Sequence, residues 1–165
     1  MAATDQWIVL LHILGAFIFV AAHGVAMFMV NEIPKQRDSR RIAALLDLSS
    51  TSLVGVYVGL LLLLIGGIWA GIDGGMFGRA WIWTALVILV AIIVVMYLVA
   101  TPFFKELRAA LGQRTQGLAK DAPDPTPLPE AEILAIAGRT PVNVLTAVGF
   151  GGLLVILWLM VVKPF

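Results

Sequence analysis

The sequence predicts an all-α membrane fold, a four-helix up-and-down transmembrane bundle with both termini outside, and three observations lead there. Of the 165 residues, 61% are hydrophobic and 13% charged, against about 45–50% and about 25% for a soluble domain. The apolar residues fall into four blocks, 7–30, 48–70, 81–101 and 142–162, each of 21 to 24 residues without a single Lys, Arg, Asp or Glu. A helix needs about 20 apolar residues to cross a hydrocarbon layer ~30 Å thick, so every block is long enough to span it. The charges are distributed unevenly between the blocks, and this asymmetry sets an orientation.

Helices are the element expected in each block, because a helix satisfies its own backbone in lipid. The blocks lack the period-two alternation of a membrane barrel, and a run such as Leu60 to Ile65 would be apolar on both barrel surfaces. The leader Met1 to Gln6 carries no positive charge and the first apolar run exceeds the h-region of a signal peptide, so the first block is expected to remain as a span. All 165 residues form one transmembrane domain in this reading.

Nine of the eleven Lys and Arg residues lie in two segments: Lys35, Arg37, Arg40 and Arg41 after the first block, and Lys105, Arg108, Arg114, Lys120 and Arg139 after the third. The positive-inside rule places both in the cytoplasm, as expected for a multi-pass protein of a bacterial inner membrane. Trp7, Trp69, Trp81, Trp83 and Trp158 all sit at or near the opposite end of their blocks, as an interfacial belt does.

The first connection is short, with Asp38 as the expected N-cap of a helix that starts at Ser39 and carries Arg40 and Arg41 past the lipid phosphates. The second, 104–140, is a long cytoplasmic loop. The third helix is expected to overrun the membrane past Pro102 and stop at Gly112. A Pro-rich linker, 113–129, has prolines at four alternate positions and reads as extended and mobile. Glu130 to Ala137 reads as a short surface helix closed by Gly138.

Absence of cysteine excludes a disulfide framework, thiolate metal sites and thiol redox chemistry, and with them the quinone-linked disulfide oxidases. No span holds the carboxylate on which small proton-coupled multidrug exporters depend. Ser49, Ser50 and Ser52 near Asp47 read as ordinary capping. No catalytic constellation, phosphate-binding loop or nucleic-acid surface is present.

An ionisable residue within a membrane helix is a functional candidate, because burial there is costly. Two qualify, His12 and His23. They are eleven residues apart, so they share one helix face at a separation of about 16 Å. Counted from the tryptophan belt at ~1.5 Å per residue, His12 lies ~8 Å and His23 ~24 Å deep. Gly66, Gly67, Thr84 and Trp158 are expected at the level of His12. Ser52, Gly55, Tyr57, Met96, Tyr97, Asn143 and Thr146 are expected at the level of His23.

Three readings stay open. His23 and Met96, or the two histidines across a homodimer, are candidate axial ligands of haem b, with Arg40 or Arg41 meeting the propionates. His23 and Met27, at i and i+4, are a soft donor pair suited to copper. Alternatively each histidine bonds a neighbouring hydroxyl or carbonyl and fixes helix packing. Gly55 with Gly59, and Gly66 and Gly67 near Gly71, permit close helix approach within the bundle or between copies.

The opening Trp7 to Phe17, with its Leu-His-Ile-Leu-Gly, resembles the first helix of uncharacterised bacterial four-helix membrane proteins, a domain of unknown function. Ala44 to Ser50, the Leu-rich second block ending in Gly66 and Gly67, and Arg79 to Trp83 are similar to them as well. The likeness covers roughly Trp7 to Gly112 and implies architecture, with His12 as the motif histidine. More loosely, the chain is similar to copper-resistance D type membrane proteins and four-helix b-type cytochromes, although the latter place histidines on several helices. Together these readings give a non-enzymatic accessory or ligand-binding membrane protein with a site at His12 and His23, in a homodimer or larger complex.

Overall fold

The computed structural model describes residues 3–115, 117–119 and 121–165, with side chains from Gln6 onward. Of the basic set Lys120, and of the linker Gln116, lie outside the described residues, as do Met1 and Ala2 of the leader. Every regular element described is helical, and four helices are long and apolar enough to span a membrane. They are α1 (Ala3–Glu32), α2 (Ser39–Asp73), α3 (Ala80–Ala110) and α5 (Val142–Val162), with a short α4 (Glu130–Ala137) before the last. The first three spans run beyond their apolar blocks, whereas α5 coincides with the fourth block.

Pro34 opens a single 3-10 turn, Ile33–Lys35, that ends α1 and turns the chain. Asp38 then caps α2 as its side chain accepts from the Arg40 N–H at 2.9 Å, and Glu130 of α4 accepts from the Ser39 N–H at 3.2 Å. At the other end Gly75, with φ 59°, makes the left-handed turn into Met76–Gly78 and α3. Pro102 sits inside α3 without ending it. The stop comes at Gly112, with φ 74°, where the Gln113 N–H reaches back to the Arg108 carbonyl in a Schellman-type closure. Gly138 caps α4 in a right-handed conformation, φ −62°, so the freedom of a glycine is not used there.

Two kinds of packing hold the bundle together. Helices α1 and α2 meet backbone to backbone: Gly15 lies on the backbone of Leu62 and Leu63, Gly59 on that of Phe19, and Gly66 on that of His12. A methyl group on Gly66 would stand 2.7 Å from the His12 nitrogen and 2.9 Å from its Cα, so no larger residue fits without separating the helices. Helices α3 and α5 instead meet through bulky side chains, with Trp81, Ile82, Ala85 and Leu159 buried together at the tryptophan end.

Helices α2, α3 and α4 and the turn after α1 converge at the basic end. Ile33, Ile42, Leu46, Leu107 and Ala110 pack against Ile133, Ile136 and Ala137, so the apolar side of α4 is part of the core. Above this core Arg108 fastens α3 to α2. Its guanidinium donates to the Leu46 carbonyl at 2.5 Å, Ser50 Oγ at 2.7 Å, Asp47 Oδ1 at 3.1 Å and Gln113 Oε1 at 2.6 Å. The outward faces of the spans carry Phe17, Val54, Val87 and Val161, all largely exposed. Apolar surface of that extent on every span is what a lipid environment requires.

Candidate functional site

The shared face of α1 presents His12 to α2 and His23 to α5. At the upper level, the Leu63 carbonyl stands 2.7 Å from His12 Nδ1. A carbonyl only accepts, so Nδ1 carries the hydrogen and Nε2 is the acceptor nitrogen. Gly66 and Gly67 create the recess: a methyl on Gly67 would meet Nδ1 at 2.8 Å and Cε1 at 2.9 Å. Two other residues expected at this level are occupied elsewhere. Thr84 bonds its own Ala80 carbonyl at 3.1 Å, and Trp158 is half exposed.

The lower level is built differently. His23 is 8% exposed, and its Nε2 is buried without a hydrogen-bond partner among the described residues. Phe19, one turn earlier on α1, stacks on the imidazole at 5.6 Å between centroids and 8° between planes. Phe150 of α5 meets it edge-on at 5.9 Å and 77°. On the α5 side Nε2 lies beside Gly149. A methyl built on Gly149 would stand 2.8 Å from Nε2 and 3.4 Å from Met27 Sδ, so both donors bear on one point.

The backbone at that point is irregular. Between the α-helical turns Val142–Thr146 and Gly152–Val162, α5 widens into a π-helical turn, Ala147–Gly151. Such turns insert a residue into the helix and are frequent at functional sites. This one brings Gly149 and Phe150 onto His23. Thr146, the residue before it, also has a buried hydroxyl with no partner. An unsatisfied buried polar group costs about 1–3 kcal/mol, and here two flank one irregular turn.

Met27 is 1% exposed and packs with Val30 and Leu145, and Met96 of α3 packs against the same cluster. The structure thus brings together His23 and Met27, with Met96 beside Met27, and sets His12 apart in its glycine recess. Arg40 and Arg41 are exposed in the first turn of α2. Gly55 faces the Ala22 methyl, while Tyr57 and Tyr97 are about two-thirds exposed on the outer surface. Among the described residues no three His, Cys, Asp or Glu side chains converge as a metal site. Phe150 and Arg108 were not singled out from the sequence. Phe150 had a signal in the glycines around it, Gly149, Gly151 and Gly152, whereas Arg108 had none beyond its charge.

The family model described as predicted integral membrane protein (DUF2269) matches residues 6–164. The chain belongs to that family. No curated protein and no solved structure matches this DUF2269 chain. Family and fold agree on a multi-pass integral membrane protein in a lipid bilayer, and its activity has to be argued from the lower histidine.

Proposed function

We propose that the protein is a non-enzymatic ligand-binding membrane protein whose site lies between α1 and α5 at His23, and that its ligand is a single soft metal ion, copper(I). One observation carries this reading: His23 Nε2, buried and without a hydrogen-bond partner among the described residues, and Met27 Sδ both lie close to the same position beside Gly149. Imidazole and thioether are a soft donor pair that suits Cu(I). Met96 of α3, packed on the Met27 cluster, is a further sulfur donor from another helix. In this reading His12 is a packing residue. The basic end lies in the cytoplasm, by the positive-inside rule, and the membrane is the bacterial inner membrane.

Haem b is less well supported. Phe19 stacks on the imidazole, and α5 passes so close at Gly149 that an added methyl would stand 2.8 Å from Nε2, which leaves no room for a planar macrocycle. A macrocycle would require α5 to leave His23. Arg40 and Arg41 stand exposed at the corner of the bundle and are not drawn towards the imidazole.

The test is metal analysis of the protein purified in mild detergent after growth with adequate copper and haem, with oxidised and dithionite-reduced spectra of the same sample. Stoichiometric copper, lost in His23→Ala and Met27→Leu and kept in His12→Ala, is the expected result. A Soret band lost in His23→Ala would replace copper by haem. A featureless spectrum without stoichiometric metal would contradict both.

A further inference from the structure

The turn between α1 and α2 offers a second binding feature, independent of His23. A shallow groove of about 390 Å³ runs along the basic end of these helices. Its floor is apolar, from Phe28, Ala44, Leu45 and Leu48, with Glu32 and Arg41 on its rim. Phe28 and Leu48 are 65% and 53% exposed, so the floor is open to its surroundings. Arg41 lines it, Arg37 and Arg40 are exposed close by in the chain, and none of the three has a side-chain hydrogen bond or ion pair among the described residues.

The acidic groups nearby are already engaged. Glu32 holds Lys35 at 2.6 Å, Asp38 accepts from the Arg40 backbone, and Glu130 accepts from the Ser39 backbone. Three exposed arginines thus fall within five residues of one another where the apolar span ends, and one of them, Arg41, borders an apolar trough. Guanidinium groups pair with phosphate oxygens through charge-assisted, often bidentate hydrogen bonds. In an integral membrane protein the molecule that carries a phosphate at that level and a hydrocarbon chain below it is a phospholipid.

We propose that this corner is a docking site for one anionic phospholipid, its phosphate held by Arg41 with Arg40 and Arg37, and one acyl chain lying on Phe28, Leu45 and Leu48. The volume is near the lower limit of about 300–1,000 Å³ for small-molecule sites, so it takes a single chain segment. The lipid joins the end of α1 to the start of α2 and supplies the counter-charge that the chain leaves out.

Native mass spectrometry from detergent tests the proposal, with phosphatidylglycerol and phosphatidylcholine of matched chains added in parallel and inorganic phosphate as competitor. Phosphatidylglycerol should be retained in preference, and each of Arg40→Gln and Arg41→Gln should reduce that preference about fivefold, the scale of one basic residue at an anionic lipid surface. Arg139→Gln, whose guanidinium pairs with Glu106 at 3.1 Å, should leave it unchanged. Equal retention of the two lipids by the unmodified protein would overturn the proposal, as would a preference that survives both substitutions. Displacement of the lipid by inorganic phosphate would equally overturn it, since that describes an anion site with no use for the groove.

Discussion

His12 and His23 occupy the same face of the same helix, three turns apart, and the structure treats them in opposite ways. His12 faces α2, where Gly66 and Gly67 remove every side chain from its path and the Leu63 carbonyl takes its Nδ1 hydrogen. His23 faces α5, where a widened turn brings Gly149 and Phe150 against it and Nε2 is left without a partner. One histidine is satisfied by the fold and the other is not. A histidine in a membrane helix is therefore assigned its role by the helix opposite, and its own helix says little about it.

Substitutions that touch one level and spare the other sharpen this contrast. The largest effect is expected at the upper level from Gly66→Val, which drives a branched side chain into the His12 backbone. Overpacking of a tight contact costs about 1–3 kcal/mol, occasionally more, so thermal unfolding in detergent should show a loss near 3 kcal/mol. At the lower level His23→Ala should weaken copper binding by about 100-fold, at least the upper end of what loss of a supporting residue around a metal costs. Competition with a Cu(I) chelator measures it.

Gly149→Ala is the more selective probe, because its methyl would occupy the point shared by Nε2 and Met27 Sδ. Copper affinity should fall about tenfold, equivalent to 1.4 kcal/mol, with both histidines still present. His12→Ala removes one hydrogen bond and should cost about 1 kcal/mol of stability, while copper stoichiometry stays unchanged. Equal loss of copper in His12→Ala and His23→Ala would erase the distinction between the two levels. The smallest effect belongs to Thr146→Val. Replacing an unsatisfied buried hydroxyl by a methyl should leave stability unchanged or raise it by up to about 1 kcal/mol, readable in the same thermal experiment.

The architecture was legible because it depends on local chemistry. Four charge-free blocks of spanning length are a property of composition. Asp38 as N-cap and Gly112 as stop each need only a few neighbouring residues to act. Depth counting along straight helices also brought Gly66 and Gly67 to the level of His12, where they are found. Depth alone did not bring Thr84 or Trp158 into contact with His12, since equal depth does not decide which way a side chain points.

What escaped the sequence depends on contacts between distant segments. Arg108 reads as one more basic residue of a loop, yet it bonds to Leu46, Asp47 and Ser50 some sixty positions earlier. Glu130 reads as the start of a surface helix, yet it caps α2 across the bundle and its helix closes the core. The π-helical turn has no periodic signature, because one inserted residue leaves the apolar pattern of Val142–Val162 intact. Its glycines were visible, but that they serve His23 follows only from the pairing of α1 with α5.

The most direct test of the account is X-ray absorption at the copper edge of the Cu(I)-loaded protein. It should show an imidazole nitrogen together with thioether sulfur around the metal, with the nitrogen contribution lost in His23→Ala and retained in His12→Ala. A shell of nitrogen and oxygen without sulfur, or one indifferent to His23→Ala, would contradict the assignment of copper to His23 and Met27 and return His23 to a packing role.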